Sequence, residues 1–375
     1  LYQRIQQLLR EEHNINEIVY INFDDERLRQ MTADDLDLIL QAYHSLFDLR
    51  PLLFFDEIQN IEGWEHFARR LANQKYNIYI TGSNAKMLSR EIATTLGGRF
   101  WNKDVYPYSF AEYLNARNII LSKNWMYGKQ AAEVSKAFND YFLYGGFPEL
   151  TDVIAKRVWL NDIYSKIFFS DLIVRNKVRN EEALGLLVRR LAENVKQPVS
   201  YTRLANLISS IGIKISKATV IEFIRYLKES CLIFPIENYA AKFAERNSNM
   251  KHYFIDNGLL SIFLLDGNTS LLENIVAIHL YKRYGAQLYF YNQNIEVDFV
   301  IPEAKTAIQV SYSLMDETTC RREVEGLIKL NRVFPMDNMC IITRDEERII
   351  THESGVSIHV IPVWKWLLEE EPLQT

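Results

Sequence analysis

The sequence predicts a multi-domain protein of the α/β class, with a parallel-sheet domain, a helical segment, a helix-turn-helix unit and a second α/β domain in that order. Three observations carry this prediction. Apolar strands alternate with helical periodicity from residue 1 to about 106, helical periodicity alone runs from about 110 to 195, and the alternation returns from 271 onward. A length of 375 residues accommodates several domains, and 48% hydrophobic with 24% charged residues excludes a disordered, collagen-like or coiled-coil chain.

Each element has its own signal. Leu1, Ile5, Leu8 and Leu9 stand at helical spacing with no capping residue before them, so a helix is already in progress at the first residue and the chain is expected to be a fragment. Ile18, Val19, Ile21 and Phe23 form a first strand, an acidic stretch runs through Asp37, and residues 51–55 are a second strand. Residues 77–80 make a third, followed by Thr81, Gly82, Ser83 and Asn84, a polar helix to Thr95 and a strand-like stretch at 100–106. The helical segment breaks at Tyr144, Gly145, Gly146, Phe147 and Pro148, where the two glycines offer a hinge. Ser200 and Ser216 each cap a short helix, to about Ile208 and Glu229, with a turn at Gly212 between them. The last region reads as a helix at 271–284, strands at 287–291, 297–301, 306–310 and 339–343, and a helix near 321–330.

The strongest chemical signal is Leu52, Leu53, Phe54, Phe55, Asp56, Glu57: four apolar residues suited to a strand buried on both faces, delivering two adjacent carboxylates at its C-terminal end. Open α/β sheets bind ligands at that edge. One carboxylate near Mg²⁺ and a second that orients or deprotonates water is what nucleotide hydrolysis requires, with Asp56 on the metal and Glu57 on the water. The same pair also suits the start of a following helix as cap and first-turn acids. At the end of the next strand Ser83 and Asn84 are placed to sense a γ-phosphate or hold the attacking water, or simply to cap a helix.

The wording D-E-I-Q-N-I-E-G-W, Y-I-T-G-S-N and L-G-G-R, followed by Y-P-Y-S-F-A-E-Y-L and Y-G-G-F-P-E-L, resembles a subgroup of prokaryotic AAA-type P-loop ATPases with a C-terminal domain of unknown function. The resemblance extends over K-H-Y-F-I-D-N-G-L-L near Asp256 and E-V-D-F-V near Asp298. It implies Walker B roles for Asp56 and Glu57, nucleotide contacts for Ser83, a sensor role for Asn84, an arginine finger at Arg99, and ATP with Mg²⁺ as ligands. An arginine finger acts in trans only in an oligomer. The 375 residues contain no G-x-x-x-x-G-K-S/T, the loop whose N–H groups and lysine cradle phosphates. The resemblance places that loop directly before Leu1, so the complete protein is expected to hydrolyse ATP and this chain is not.

The expected domains are an incomplete P-loop ATPase-type core at 1–109, a helical lid at 110–195, a winged helix at 196–267 and a restriction-endonuclease-like α/β domain at 268–375. From Lys196 to Lys228 there are six basic residues against one acid, Glu222. Lys214, Lys217, Arg225 and Lys228 are therefore candidate DNA contacts, although winged helices also serve as protein-interaction or packing modules. The C-terminal region resembles nucleases that cluster carboxylates on Mg²⁺ and use a lysine to activate water. Glu273 and Asp298 stand where such acids belong, but the third strand reads Gln309, Val310, Ser311 in place of Glu-x-Lys. A catalytically dead nuclease fold is expected, with Glu296 as a compensating ligand in the contrary case.

The net charge of −5 means that any nucleic-acid contact comes from a local patch. Three cysteines far apart encode neither a disulfide framework nor a zinc site, and with no apolar run approaching the roughly 18 residues of a membrane span they point to a reducing cytoplasm. The seven histidines show no ligand spacing. Two functions follow: a Mg²⁺-dependent ATPase that does conformational work on a protein or DNA partner, or a nucleic-acid-binding protein with nucleotide-switched affinity.

Overall fold

The computed structural model describes residues 1–82, 94–242, 246 and 248–369, and the chain divides into two compact units, Leu1–Asp104 and Val105–Thr375.

The first unit is built on three parallel strands, β1 (Ile18–Asn22), β2 (Leu52–Asp56) and β3 (Ile78–Ile80), in the order β1-β2-β3. Because side chains alternate along a strand, β2 buries two faces. Leu52 and Phe54 pack with Leu8 of helix α1 (Tyr2–Arg10), where Phe54 also stacks on Tyr79 with ring centroids 4.5 Å apart. Leu53 and Phe55 face the opposite way, onto Ile39 of α2 (Asp37–Leu46) and Phe67 and Leu71 of α3 (Trp64–Asn73). Each of these fully buried side chains contributes roughly 2 kcal/mol, which fixes β2 as the central strand. The expected strand at 100–106 is absent. Trp101 and Val105 are fully or almost fully exposed there, and a strand with no ladder partner and no buried face has nothing to hold it.

The second unit gathers everything from residue 105 into one body. Its helices are α4 (Phe110–Ala116), α5 (Lys129–Tyr144), α6 (Lys156–Lys166, continued by a π-helical stretch Ile167–Val174), α7 (Glu181–Glu193), α8 (Tyr201–Ser209), α9 (Lys217–Glu229), α10 (Asn257–Ser261), α11 (Asn268–Tyr284), α12 (Glu317–Val333) and α13 (Val363–Glu369). Nine strands form one sheet: β4 (Val199–Ser200), β5 (Ile233–Asn238), β6 (Asn249–Phe254), β7 (Tyr289–Asn292), β8 (Glu296–Ile301), β9 (Thr306–Val310), β10 (Asn338–Thr343), β11 (Arg348–Thr351) and β12 (Ser357–Pro362), in the order β11-β12-β10-β9-β8-β7-β5-β6-β4.

Two sub-structures meet in that sheet. The run α7, β4, α8, α9, β5, β6 ends in an antiparallel trio, with β6 between β4 and β5. Ser200 caps α8 through Arg203 N–H at 3.2 Å and Ser216 caps α9 through Thr219 N–H at 3.0 Å, as their positions in the sequence predict. Strand β5 then pairs in parallel with β7, so the trio continues into the mixed sheet β7–β12. One apolar core runs through the segments expected as lid, winged helix and nuclease-like domain: Phe138 of α5, Leu187 of α7, Leu227 of α9, Ile275 of α11 and Trp366 of α13 belong to it. Gly145 and Gly146 lie inside this packing as a clamped turn and not as a hinge. Gly145 has φ 78°, Gly146 donates to Asp256 Oδ2 at 2.7 Å, and its carbonyl accepts Tyr108 N–H at 2.7 Å. A Cβ on either glycine would overlap its neighbours.

No helix among the described residues is long and apolar enough to cross a membrane.

Candidate functional site

Each unit carries a cluster of carboxylates, built in a different way. In the first unit the register Asn22↔Asp56 and Phe55↔Ile80 aligns the C-terminal ends of all three strands, so Tyr20, Asp56 and Thr81 come together at one edge. Both oxygens of half-buried Asp56 are engaged by hydroxyls: Tyr20 donates to Oδ2 at 2.7 Å and Thr81 donates to Oδ1. Tyr2 donates to Tyr20 Oη at 3.1 Å, making a relay from α1 to the carboxylate. That hydrogen bond first, then burial and the neighbouring Asp56, holds the Tyr20 phenol well above its ordinary pKa, so it stays a donor. Thr81 Oγ1 also accepts the N–H of Glu57 at 3.3 Å. One hydroxyl thus fixes both acidic residues.

Glu57 sits in the left-handed region, φ 54°, ψ 38°, which costs a non-glycine residue on the order of 1 kcal/mol. The kink follows directly on the strand end at Asp56, and Gln59 Nε2 donates to the Glu57 carboxylate. Ser83 and Asn84, and most of the polar helix expected after them, lie outside the described residues. Arg99 is exposed, and neither Asp56 nor Glu57 hydrogen-bonds it.

The donor chemistry fits half of a Mg²⁺–nucleotide site. Hard carboxylate oxygens suit magnesium, and hydroxyls bonded to a carboxylate orient it as outer-shell partners do, leaving lone pairs for a cation. A phosphate cradle of Gly-x-x-x-x-Gly-Lys-Ser/Thr type is not in the sequence.

In the second unit Glu273 of α11 and Asp298 of β8 do come together, on a residue that the sequence reading missed. The ammonium of Lys251, on β6, lies 3.1 Å from Glu273 Oε1, 3.0 Å from Asp298 Oδ1 and 3.5 Å from Glu296 Oε1, and its side chain is 0% exposed. The lysine missing from β9, the third strand of the expected nuclease pattern, is therefore matched by one from β6, four places away in the sheet. Tyr253, two residues on along the same face of β6, donates to Glu273 Oε1 at 2.7 Å. Burial works against the Lys251 charge, but the three carboxylates outweigh it and raise its pKa above the ordinary value. Burial pushes the Glu273 carboxyl up to about 7 against the pull of Lys251.

Gln309 is spent on the backbone of the neighbouring strand. Its Oε1 accepts Asp298 N–H at 2.9 Å and its Nε2 donates to the Glu296 carbonyl at 3.0 Å. The cluster floors a cleft of about 1100 Å³ whose rim carries Lys196, Arg321, Arg322 and Lys329. The four basic candidates elsewhere in this unit, Lys214 before α9 and Lys217, Arg225 and Lys228 on it, are all exposed. Arg225 has weak ion pairs with Glu222 and Glu229, both at 3.9 Å.

A parallel sheet whose central strand ends in paired carboxylates defines the first unit as P-loop ATPase-type, and residues 2–114 match an AAA domain. Residues 135–270 match a domain of unknown function, DUF8612. The uncharacterized protein MJ1544 of Methanocaldococcus jannaschii is 34% identical over 370 residues, 95% of this chain and 83% of that one. An uncharacterized protein of Haemophilus influenzae is 30% identical over 363 residues, 94% of this chain and 86% of that one. The chain belongs to the family of these AAA-domain proteins. Among solved structures, the Aeropyrum pernix ORC1 protein in complex with DNA matches with a TM-score of 0.28 and 13% identity over 65% of this chain and 76% of that one, a likeness too loose to carry argument.

Proposed function

We propose that the protein is a Mg²⁺-dependent ATPase whose nucleotide state governs a DNA-binding module in the second unit. The observation that supports it most is the single Thr81 hydroxyl tying Asp56 and Glu57 together at the end of β2. Asp56, steadied by Tyr20 and Thr81, would hold the metal. Glu57, just past the strand end with a left-handed backbone, would orient the attacking water and take its proton. Bound Mg²⁺–ATP would supply the phosphoanhydride and, through the metal, the positive charge that offsets the phosphates. Asn84 and Ser83 are proposed as nucleotide contacts, and Arg99, exposed, as a finger toward the nucleotide of a neighbouring copy.

For the second unit the reading is a winged helix fused to a nuclease-like fold. The antiparallel trio after α8 and α9 favours it, since α9 then takes the place of the DNA-reading helix and presents Lys217, Arg225 and Lys228 to solvent. A protein that binds DNA with nucleotide-switched affinity and little turnover is the second reading.

The test is phosphate release from ATP by the full-length gene product, with and without duplex DNA, and after Glu57→Gln. Hydrolysis that falls at least about a hundredfold in the variant while DNA binding persists supports the ATPase. Turnover equal in both proteins overturns the role of Glu57, and DNA affinity that changes with nucleotide without turnover supports the second reading.

A further inference from the structure

The nuclease resemblance of the second unit implies a divalent metal among its carboxylates, and the residues present do not fit one. We propose that Lys251 is the resident cation of this cluster, its ammonium filling the place among Glu273, Glu296 and Asp298 that a metal ion takes in hydrolytic sites. The inference is independent of the ATPase reading and rests on the nuclease-like reading only for the expectation of a metal.

Geometry carries it. The three carboxylates converge on one fully buried Nζ, which donates to Glu273 at 3.1 Å and Asp298 at 3.0 Å and forms an ion pair with Glu296 at 3.5 Å, so the ammonium already occupies the point on which the acids converge. A divalent ion placed among them would stand against a like charge. The acids are also held in place around the ammonium. Asp298 Oδ2 accepts the N–H of Val310 at 3.0 Å, and Glu273 Oε1 accepts Tyr253 in addition to Lys251. Gln309, at the position of the second metal-binding acid, has both its amide oxygen and its amide nitrogen bonded to main chain. Among the described residues no group of three or more His, Cys, Asp or Glu is arranged to hold a metal ion.

Electrostatics gives the reason for a lysine here. Three carboxylates gathered at the floor of a cleft repel one another, and an isolated buried charge is costly; an ammonium reaching in from β6 offsets both effects without any dependence on metal supply. The lysine also closes the sheet seam. It links β6, the last strand of the winged-helix-like trio, to α11 and β8 of the nuclease-like part.

The experiment is a Mn²⁺ titration of the full chain without nucleotide, followed by the electron paramagnetic resonance of the free ion, on wild type and on Asp298→Asn, Asp56→Asn and Lys251→Met. Under the proposal wild type and Asp298→Asn titrate alike, whereas Lys251→Met, with the ammonium gone and the carboxylates left, gains a site at least tenfold tighter and melts several degrees higher with Mn²⁺ than without. A wild-type site that survives Asp56→Asn and disappears in Asp298→Asn overturns it. So does a folded Lys251→Met that binds no Mn²⁺. Should that variant fail to fold, the comparison of wild type with Asp298→Asn still decides.

Discussion

Asp256 Oδ2 accepts the backbone N–H of Gly146 at 2.7 Å, joining positions 110 residues apart at the C-terminal end of α5. The other oxygen takes the N–H groups of Gly258 at 2.8 Å and Leu259 at 3.4 Å, capping α10. One buried carboxylate therefore ends one helix and begins another, and the absence of side chains at 145, 146 and 258 is what lets the backbones approach. Gly146→Ala, whose Cβ would overlap the Tyr108 carbonyl, and Asp256→Asn, which turns an amide donor toward backbone donors, are each expected to destabilise the protein by about 2 kcal/mol. Gly128→Ala, with open space at its Cβ, is the control and should stay within about 0.5 kcal/mol. Urea unfolding checks all three; equal midpoints for Gly146→Ala and Gly128→Ala would show that the clamp contributes nothing.

The hydroxyl of Thr81 is the cheapest point at which to test the first-unit site. Thr81→Val keeps shape but removes the donor to Asp56 and the acceptor for Glu57 N–H, so ATP turnover of the full-length protein should drop at least tenfold with about 1 kcal/mol lost in stability. Thr81→Ser retains the hydroxyl and should restore most of the rate. A valine variant as active as wild type would mean that Asp56 needs no such positioning.

Much of this was legible in the chain. The buried run 52–55 ending in two acids fixes β2 and its edge, and Ser200 and Ser216 mark their helices because a capping hydroxyl acts within three residues. What stayed hidden depends on contacts between distant segments. Tyr20 and Thr81 look like ordinary strand residues until the register aligns them with Asp56. Lys251 lies 22 residues from Glu273 and 47 from Asp298, so no spacing rule connects them. The one cue was a lysine sharing the inward face of a strand with Tyr253. The reverse error, a strand read into 100–106, came from aromatic and β-branched residues, of which Trp101 and Val105 are in fact exposed.

Buried titratable groups give the second unit a definite response to pH. Burial raises the Asp256 carboxyl from 3.8 to about 6 and the Glu273 carboxyl from 4.5 to about 7. The folded state thus holds protons that the unfolded chain releases, so the stabilisation from these groups is complete below pH 4 and lost as pH rises through 6 and 7. Burial lowers His252 to about 4 and His279 to about 3, which acts in the opposite sense: their contribution is complete above pH 6.5 and lost as pH falls toward those values. Glu273→Gln should therefore flatten the decline in stability between pH 4.5 and 7, by an amount on the order of 2 kcal/mol, and leave the acid limb unchanged. Chemical denaturation across that range measures it. A variant whose profile runs parallel to wild type would show that Glu273 titrates alike in both states.

The exposed face of α9 makes the DNA reading quantitative. Lys217, Arg225 and Lys228 project exposed from one helix, with Glu222 and Glu229 the ion-pair partners of Arg225 among the described residues, both at 3.9 Å, so their charge is available to phosphate. If each neutralises one phosphate, the plot of log affinity against log salt should lose about 0.9 in slope per residue changed to glutamine, with little dependence on base sequence. Glu222→Gln, which removes a repulsive charge from the same face, should tighten binding. The measurement is fluorescence anisotropy of a labelled duplex from low to physiological salt. A salt-independent affinity, or a slope unaltered in the triple glutamine variant, would take DNA away from this helix and leave α9 as a protein-packing surface.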